Sequence, residues 1–193
     1  LTFYELLFGV LVMNKLSQED FFKKYGYVYI KNVLTPNQCE EFSNLMLQKK
    51  RDNQLGYEKT HNPSMYQESY GGNDQIFENA LRGITPRLEN ELKIKMVPAN
   101  SYCRIYYNGS TLKPHVDRTG LDYTISISLF SNLQTPWPLM CKDRMGNIVP
   151  ININVGDGGM IFGTEINHWR EDLTCSPDEY IIQLFMHWSF PKS

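Results

Sequence analysis

The chain has 193 residues, of which 41% are hydrophobic, 13% aromatic and 21% charged, a composition that fits one folded domain and excludes a disordered polyelectrolyte. A formal net charge of −2 and a pI near 6.1 give no overall attraction for a nucleic-acid backbone, so no nucleic-acid partner is expected. Cys39, Cys103, Cys141 and Cys175 form no C-x-x-C pair, which argues against a structural zinc site; reduced thiols in a cytoplasmic protein fit them better than two disulfides.

Leu1 to Met13 is apolar but shorter than the ~20 residues that span a bilayer, contains Glu5 and lacks a basic start, so neither a membrane span nor a signal peptide is expected. Residues 1–14 are either a leader ahead of a start at Met13 or a short helix packed on the core. Ser17 is placed to cap a helix through Phe21 and Phe22 that stops near Gly26, and Tyr27 to Val33 reads as a short strand. Thr35-Pro36 restarts a helix whose buried stripe is Cys39, Phe42, Leu45 and Met46. Arg51 to Asp74, with four Gly or Pro residues among polar neighbours, reads as a long loop of the kind that lines sites. Phe77 to Lys95 resumes as a helix broken or kinked near Gly83 and Pro86.

After Pro98 the pattern changes to short β-rich runs bounded by Gly, Asn and Pro: Ser101 to Tyr107, Leu112 to Val116, Tyr123 to Phe130, Leu139 to Cys141, Asn147 to Asn154, Gly159 to Phe162 and Tyr180 to Trp188. Regular spacing with no helical pattern between the runs implies antiparallel strands closing as a sandwich or barrel. The expectation is a mixed α+β fold in one domain over 1–193. Residues 98–193 form a cupin-like jelly roll, and the helices of 15–97 pack on one face of it.

His115-Val116-Asp117 is followed fifty-one positions after the carboxylate by His168. On an extended segment His115 and Asp117 point to one side while Val116 faces away, so both reach one ion, and a second strand can deliver His168. Two imidazoles and a carboxylate occupy one face of an octahedral ion and leave three positions for small molecules, the arrangement associated with non-haem Fe(II) oxygenases. Burying an acid beside an imidazole is unfavourable unless a cation or good hydrogen bonds compensate; the alternative is an exposed hairpin end in which Arg118 pairs with Asp117. His168 follows the Gly156-Asp157 turn and the Gly159 to Phe162 strand, at the start of the next loop. His187, on the alternating run Ile181, Gln183, Phe185, His187, and His61, in the long loop, are not taken as ligands.

The order Arg104-Ile-Tyr-Tyr-Asn-Gly-Ser-Thr-Leu-Lys-Pro-His115-Val-Asp117, then Val155-Gly-Asp-Gly-Gly-Met-Ile-Phe-Gly163, then His168, resembles the Fe(II)/2-oxoglutarate-dependent dioxygenase superfamily, nearest its prolyl 4-hydroxylase-like branch. The opening Phe22-Lys-Lys-Tyr-Gly-Tyr-Val-Tyr-Ile30 is also similar, so the resemblance covers about residues 15 to 190, its specific part being H-x-D and the distal His. It implies a double-stranded β-helix in which His115, Asp117 and His168 bind Fe(II) and are the catalytic residues. It further implies that 2-oxoglutarate takes two coordination positions and O2 the third, with hydroxylation of a substrate and release of CO2 and succinate.

The family carries an Arg or Lys shortly after the distal His, on the last long strand, to pair with the far carboxylate of 2-oxoglutarate; here Asp178-Glu179-Tyr180 stands in that place. A desolvated carboxylate requires a cationic or multiply hydrogen-bonding partner, so Arg170 and Arg104 are the candidate substitutes, with Tyr106 beside Arg104 and a hydroxyl from Tyr180. Lys113, Arg118 and Trp137 are candidate substrate contacts, the substrate being a small molecule or a peptide. Two rivals remain: a cupin-like metal- or ligand-binding module without catalysis, and a nucleic-acid demethylase, which the acidic pI disfavours.

Overall fold

The computed structural model describes residues 16–57, 67–71 and 74–192; residues 1–14 and His61 therefore lie outside the described residues. Helix α1 (Gln18–Tyr25) starts at Ser17, whose hydroxyl accepts from the Asp20 N–H at 3.0 Å, and stops at Gly26, with φ of 80°. A Cβ at Gly26 would collide with Ile166, so both the left-handed backbone and the close approach require glycine. After β1 (Tyr27–Ile30), α2 (Pro36–Arg51) opens with a reciprocal capping box between Thr35 and Gln38. It buries Cys39, Phe42, Ser43 and Met46, with Leu45 half-buried at the edge of that stripe. Helix α3 (Gln75–Leu92), capped by Asp74, runs uninterrupted through Gly83 and Pro86. No helix among the described residues is long and apolar enough to cross a membrane.

Between α2 and α3 the expected loop contains β2 (Gly56–Tyr57) and β3 (Gln67–Gly71). The remaining strands are β4 (Val97–Tyr106), β5 (Leu112–His115), β6 (Tyr123–Ser131), β7 (Leu139–Lys142), β8 (Ile148–Ile151), β9 (Gly158–Phe162), β10 (His168–Arg170) and β11 (Ile181–Ser189). A seven-stranded sheet runs β1-β9-β6-β11-β4-β3-β2 and a four-stranded sheet β5-β10-β7-β8, with every named pairing antiparallel. From β4 onward the chain crosses between the sheets after β4, β5, β6, β8, β9 and β10. This is the expected jelly roll with helices added at its N-terminal end. Two strands escape the sequence reading for physical reasons. β3 is selected by the hydrogen-bonding edge of β4, which its own polar residues do not announce. β10, of three residues, is too short to show a period.

Register divides the large sheet into two chemically different faces. Ile182, Leu184, Met186 and Trp188 of β11 lie beside Ile105 and Cys103 of β4 and Ile125 and Ile127 of β6. This apolar face joins Phe22, Phe42, Phe77, Leu81, Leu88 and Leu92 of the helices in one cluster. Buried Trp188 satisfies its indole N–H on Thr85 Oγ1 at 2.8 Å. The opposite face, toward the small sheet, carries Gln183, Phe185 and His187 in register with Arg104, Tyr102 and Asn100 on one side and Ser128, Ser126 and Thr124 on the other. Arg104, Thr124, Ser126, Ser128, Gln183 and His187 are all buried, so the interior of the roll is polar. Polar side chains are rarely buried without partners or a ligand, which makes this interior the place to look for a site.

Candidate metal centre

β5 ends on His115, β10 begins on His168, and the two are direct partners across the small sheet, with ring centroids 4.2 Å apart. Asp117 follows β5, and its N–H donates to Gly163 O at 2.7 Å. Asp117 Oδ1 lies 3.7 Å from His115 Nε2 and 3.8 Å from His168 Nε2. These separations are too long for hydrogen bonds but place one donor atom from each residue within 4.8 Å of the others, a spacing three donors adopt around one ion. Among the described residues this is the one such cluster of His, Cys, Asp or Glu.

The atoms that do not face the centre are held elsewhere. His115 Nδ1 donates to Lys113 O at 2.8 Å and His168 Nδ1 donates to Ile166 O at 3.0 Å, so each ring turns an Nε2 lone pair inward. Burial lowers the His168 pKa, with Asp117 opposing and His115 reinforcing the shift, so the ring is neutral, as a ligand must be. Thr124 donates its hydroxyl to Asp117 Oδ2, which leaves Oδ1 for a metal. At Gly163 an added Cβ would lie 2.5 Å from Asp117 Oδ2 and 2.7 Å from Thr124 Oγ1; the glycine keeps open the space the carboxylate occupies. Donor set and supports therefore fit a divalent ion of the kind that takes imidazole and carboxylate ligands.

The other expected residues fall into separate places. Arg170, 2% exposed, has its Nη1 on Trp137 O, while Nε and Nη2 are buried with no hydrogen-bond partner. Burial lowers its pKa to about 10, with Tyr106 opposing the shift, so it is still a cation. Trp137 and Tyr106 pack beside it, at 4.6 Å from Trp137 ring centroid to Arg170 Cζ and 5.1 Å between the two ring centroids. Arg104 is also buried, but it lies along the aromatic wall, 4.9 Å from the Tyr102 ring and 5.9 Å from that of Phe185. Tyr180 stacks on Phe130 at 5.0 Å and packs with the helix-side core, away from the polar interior. Lys113 and Arg118 are exposed near the ends of β5, and Asp117 pairs with the two histidines instead of Arg118.

Sequence reasoning passed over Thr124, Gly163 and the setting of His187. His187 stacks on Tyr102 at 5.4 Å and stands in register with Thr124, beside the triad but outside the donor cluster. The signal for Thr124 was present: Thr124, Ser126 and Ser128 alternate with Ile125 and Ile127, a polar row on a buried strand. All four cysteines are free, and burial pushes the thiols of Cys103 and Cys141 up, which makes them poor nucleophiles.

No family model matches the chain, and no curated protein matches it in sequence. Solved structures match its fold. A prolyl-4-hydroxylase from Pseudomonas putida superposes with a TM-score of 0.71 at 11% identity, over 89% of this chain and 97% of that one. SnoK, a non-haem α-ketoglutarate-dependent carbocyclase of nogalamycin biosynthesis, gives 0.70 at 14% identity, over 92% and 85%. HygX from Streptomyces hygroscopicus, with nickel and 2-oxoglutarate bound, gives 0.65 at 11% identity, over 89% and 86%. The chain shares the jelly-roll fold of these three structures.

Proposed function

We propose that the chain is an Fe(II)- and 2-oxoglutarate-dependent oxygenase that hydroxylates a small molecule or a peptide, with His115, Asp117 and His168 as the metal ligands. The observation that carries this is the convergence of three oriented donor atoms on one point in a roll that also holds a buried, unsaturated guanidinium, Arg170, two residues from His168. Fe(II) in such a site supplies the activation of O2, coupled to conversion of 2-oxoglutarate to succinate and CO2, so that one oxygen atom enters the succinate and the other the substrate.

The chain's own residues position and exclude. His115, Asp117 and His168 would hold the ion through one donor atom each. Arg170 would offer its buried Nε and Nη2 to the remote carboxylate of the cosubstrate, a charge-assisted pairing. Arg170 is the proposed anchor over Arg104, whose guanidinium lies along the Tyr102 and Phe185 rings; Arg104, Tyr102, Phe185 and His187 form a wall on the substrate side. The same fold takes up both kinds of molecule: one neighbour, from Trichoplax adhaerens, was solved in complex with a peptide of hypoxia inducible factor and HygX with hygromycin B bound.

The test is anaerobic titration of the metal-free protein with Fe(II) and then 2-oxoglutarate. The visible charge-transfer band of a chelated keto acid is expected, and it should vanish in His168→Ala. Iron bound without a band would overturn the cosubstrate and favour a binding module; failure to bind iron would overturn the site.

A further inference from the structure

Arg170 ends a long side chain with several rotatable bonds, and an unrestrained guanidinium would sample many positions. Two contacts from a single residue restrain it. Its Nη1 donates to the carbonyl oxygen of Trp137, and its Cζ lies 4.6 Å from the centroid of the Trp137 ring. Trp137 is itself fixed. Its indole N–H donates to Glu171 O at 2.8 Å, its ring meets Tyr106 edge-on at 5.1 Å, and Pro136 and Pro138 restrict the backbone on both sides. No carboxylate in the described residues pairs with Arg170, and its one side-chain hydrogen bond among them is the one to Trp137 O.

We propose that Trp137 is a positioning residue that fixes how far the Arg170 guanidinium reaches into the roll, and so sets the chain length of the 2-oxo diacid the site accepts. The proposal rests on the oxygenase reading above. A diacid must chelate the metal at one end and meet Arg170 at the other, so the separation between the triad and the guanidinium selects its length. 2-Oxoglutarate and its homologue 2-oxoadipate differ by one methylene, and misplacement on that scale is enough to disturb a two-point fit. With the ring removed, the guanidinium keeps its hydrogen bond to the residue 137 carbonyl oxygen but loses the ring beside it, so it is free to shift and the longer acid gains room.

The experiment titrates Fe(II)-loaded full chain under argon with 2-oxoglutarate and, separately, 2-oxoadipate, following the charge-transfer band for wild type, Trp137→Ala and Trp137→Phe. Wild type should prefer 2-oxoglutarate. Trp137→Ala should shift the ratio of the two affinities toward 2-oxoadipate by about tenfold, the order of loss of a cation–ring contact, and Trp137→Phe, which keeps a ring, should stay near the wild-type ratio. If Trp137→Ala does not fold, Trp137→Leu is read the same way. Equal weakening of both acids would mean that Trp137 only supports the fold, and an unchanged ratio would mean that it sets nothing; either overturns the proposal. Absence of a band from wild type with both acids overturns the oxygenase reading, and this proposal with it.

Discussion

Asp117 is the residue on which small changes should act most strongly. One carboxylate oxygen is held by Thr124 and the space around it is kept by Gly163, while the other oxygen faces both histidines. Thr124→Val keeps the shape and removes the donor, so metal affinity should fall by roughly 10–100-fold, the usual effect of losing a partner behind a ligand, while Thr124→Ser should restore it. Gly163→Ala should have an effect of similar order because the new methyl group displaces the carboxylate. Metal titration by calorimetry decides both, and unchanged affinity in Thr124→Val would remove the hydroxyl from the account. Arg170→Gln should raise the 2-oxoglutarate concentration needed for the charge-transfer band by about 100-fold, of the order of one lost charge-assisted pair, whereas Arg104→Gln should have a small effect. The reverse ranking would move the anchor to β4. At this scale the sequence singled out His115 and Asp117, because residues two apart on an extended segment point to one side. It was silent about Arg170 against Arg104, because both alternate into the same interior and their surroundings come from distant strands.

Helices α1 and α2 were legible from their ends. Ser17 and Thr35 carry hydroxyls that accept the orphan N–H groups of the first turn, and Gly26 supplies the left-handed residue that stops α1. Thr35→Ala should cost about 1 kcal/mol of stability in urea unfolding. It should leave metal affinity unchanged, since α2 packs on the outer, apolar face of the large sheet; a loss of metal affinity would mean that the helix layer shapes the site. β10 shows the opposite case. Its three residues exist as a strand only between β5 and β7, and the irregular register between His168 and Arg170 re-aims the side chains there. Nothing within Ile166 to Glu171 indicates this, although β10 carries both His168 and Arg170.

The polar interior of the whole roll makes the protein sensitive to acid. His187 is buried on the inner face of β11, and burial, opposed by Asp117, takes its pKa from 6.5 down to about 4. In the unfolded chain the ring takes up a proton near 6.5; in the folded protein it resists until about 4. Its contribution to stability is thus complete above 6.5 and is lost as pH falls through 4, with a size on the order of 3 kcal/mol. Urea unfolding of the metal-free protein from pH 7 to pH 4 should show this slope, and His187→Asn should flatten it; an equal slope in the variant would place the acid sensitivity elsewhere.

By itself the sequence determined the helix ends, the change from helical to strand pattern after Pro98, and the common side of His115 and Asp117, because each depends on neighbouring dihedral angles or on the two-residue period of a strand. Only the tertiary structure decided the β3 edge, the existence of β10, the Thr124 and Gly163 support of Asp117, and the setting of Arg170 against Trp137. Those features arise between segments far apart in the chain, and a contact across 33 residues leaves no periodic mark on either side of it.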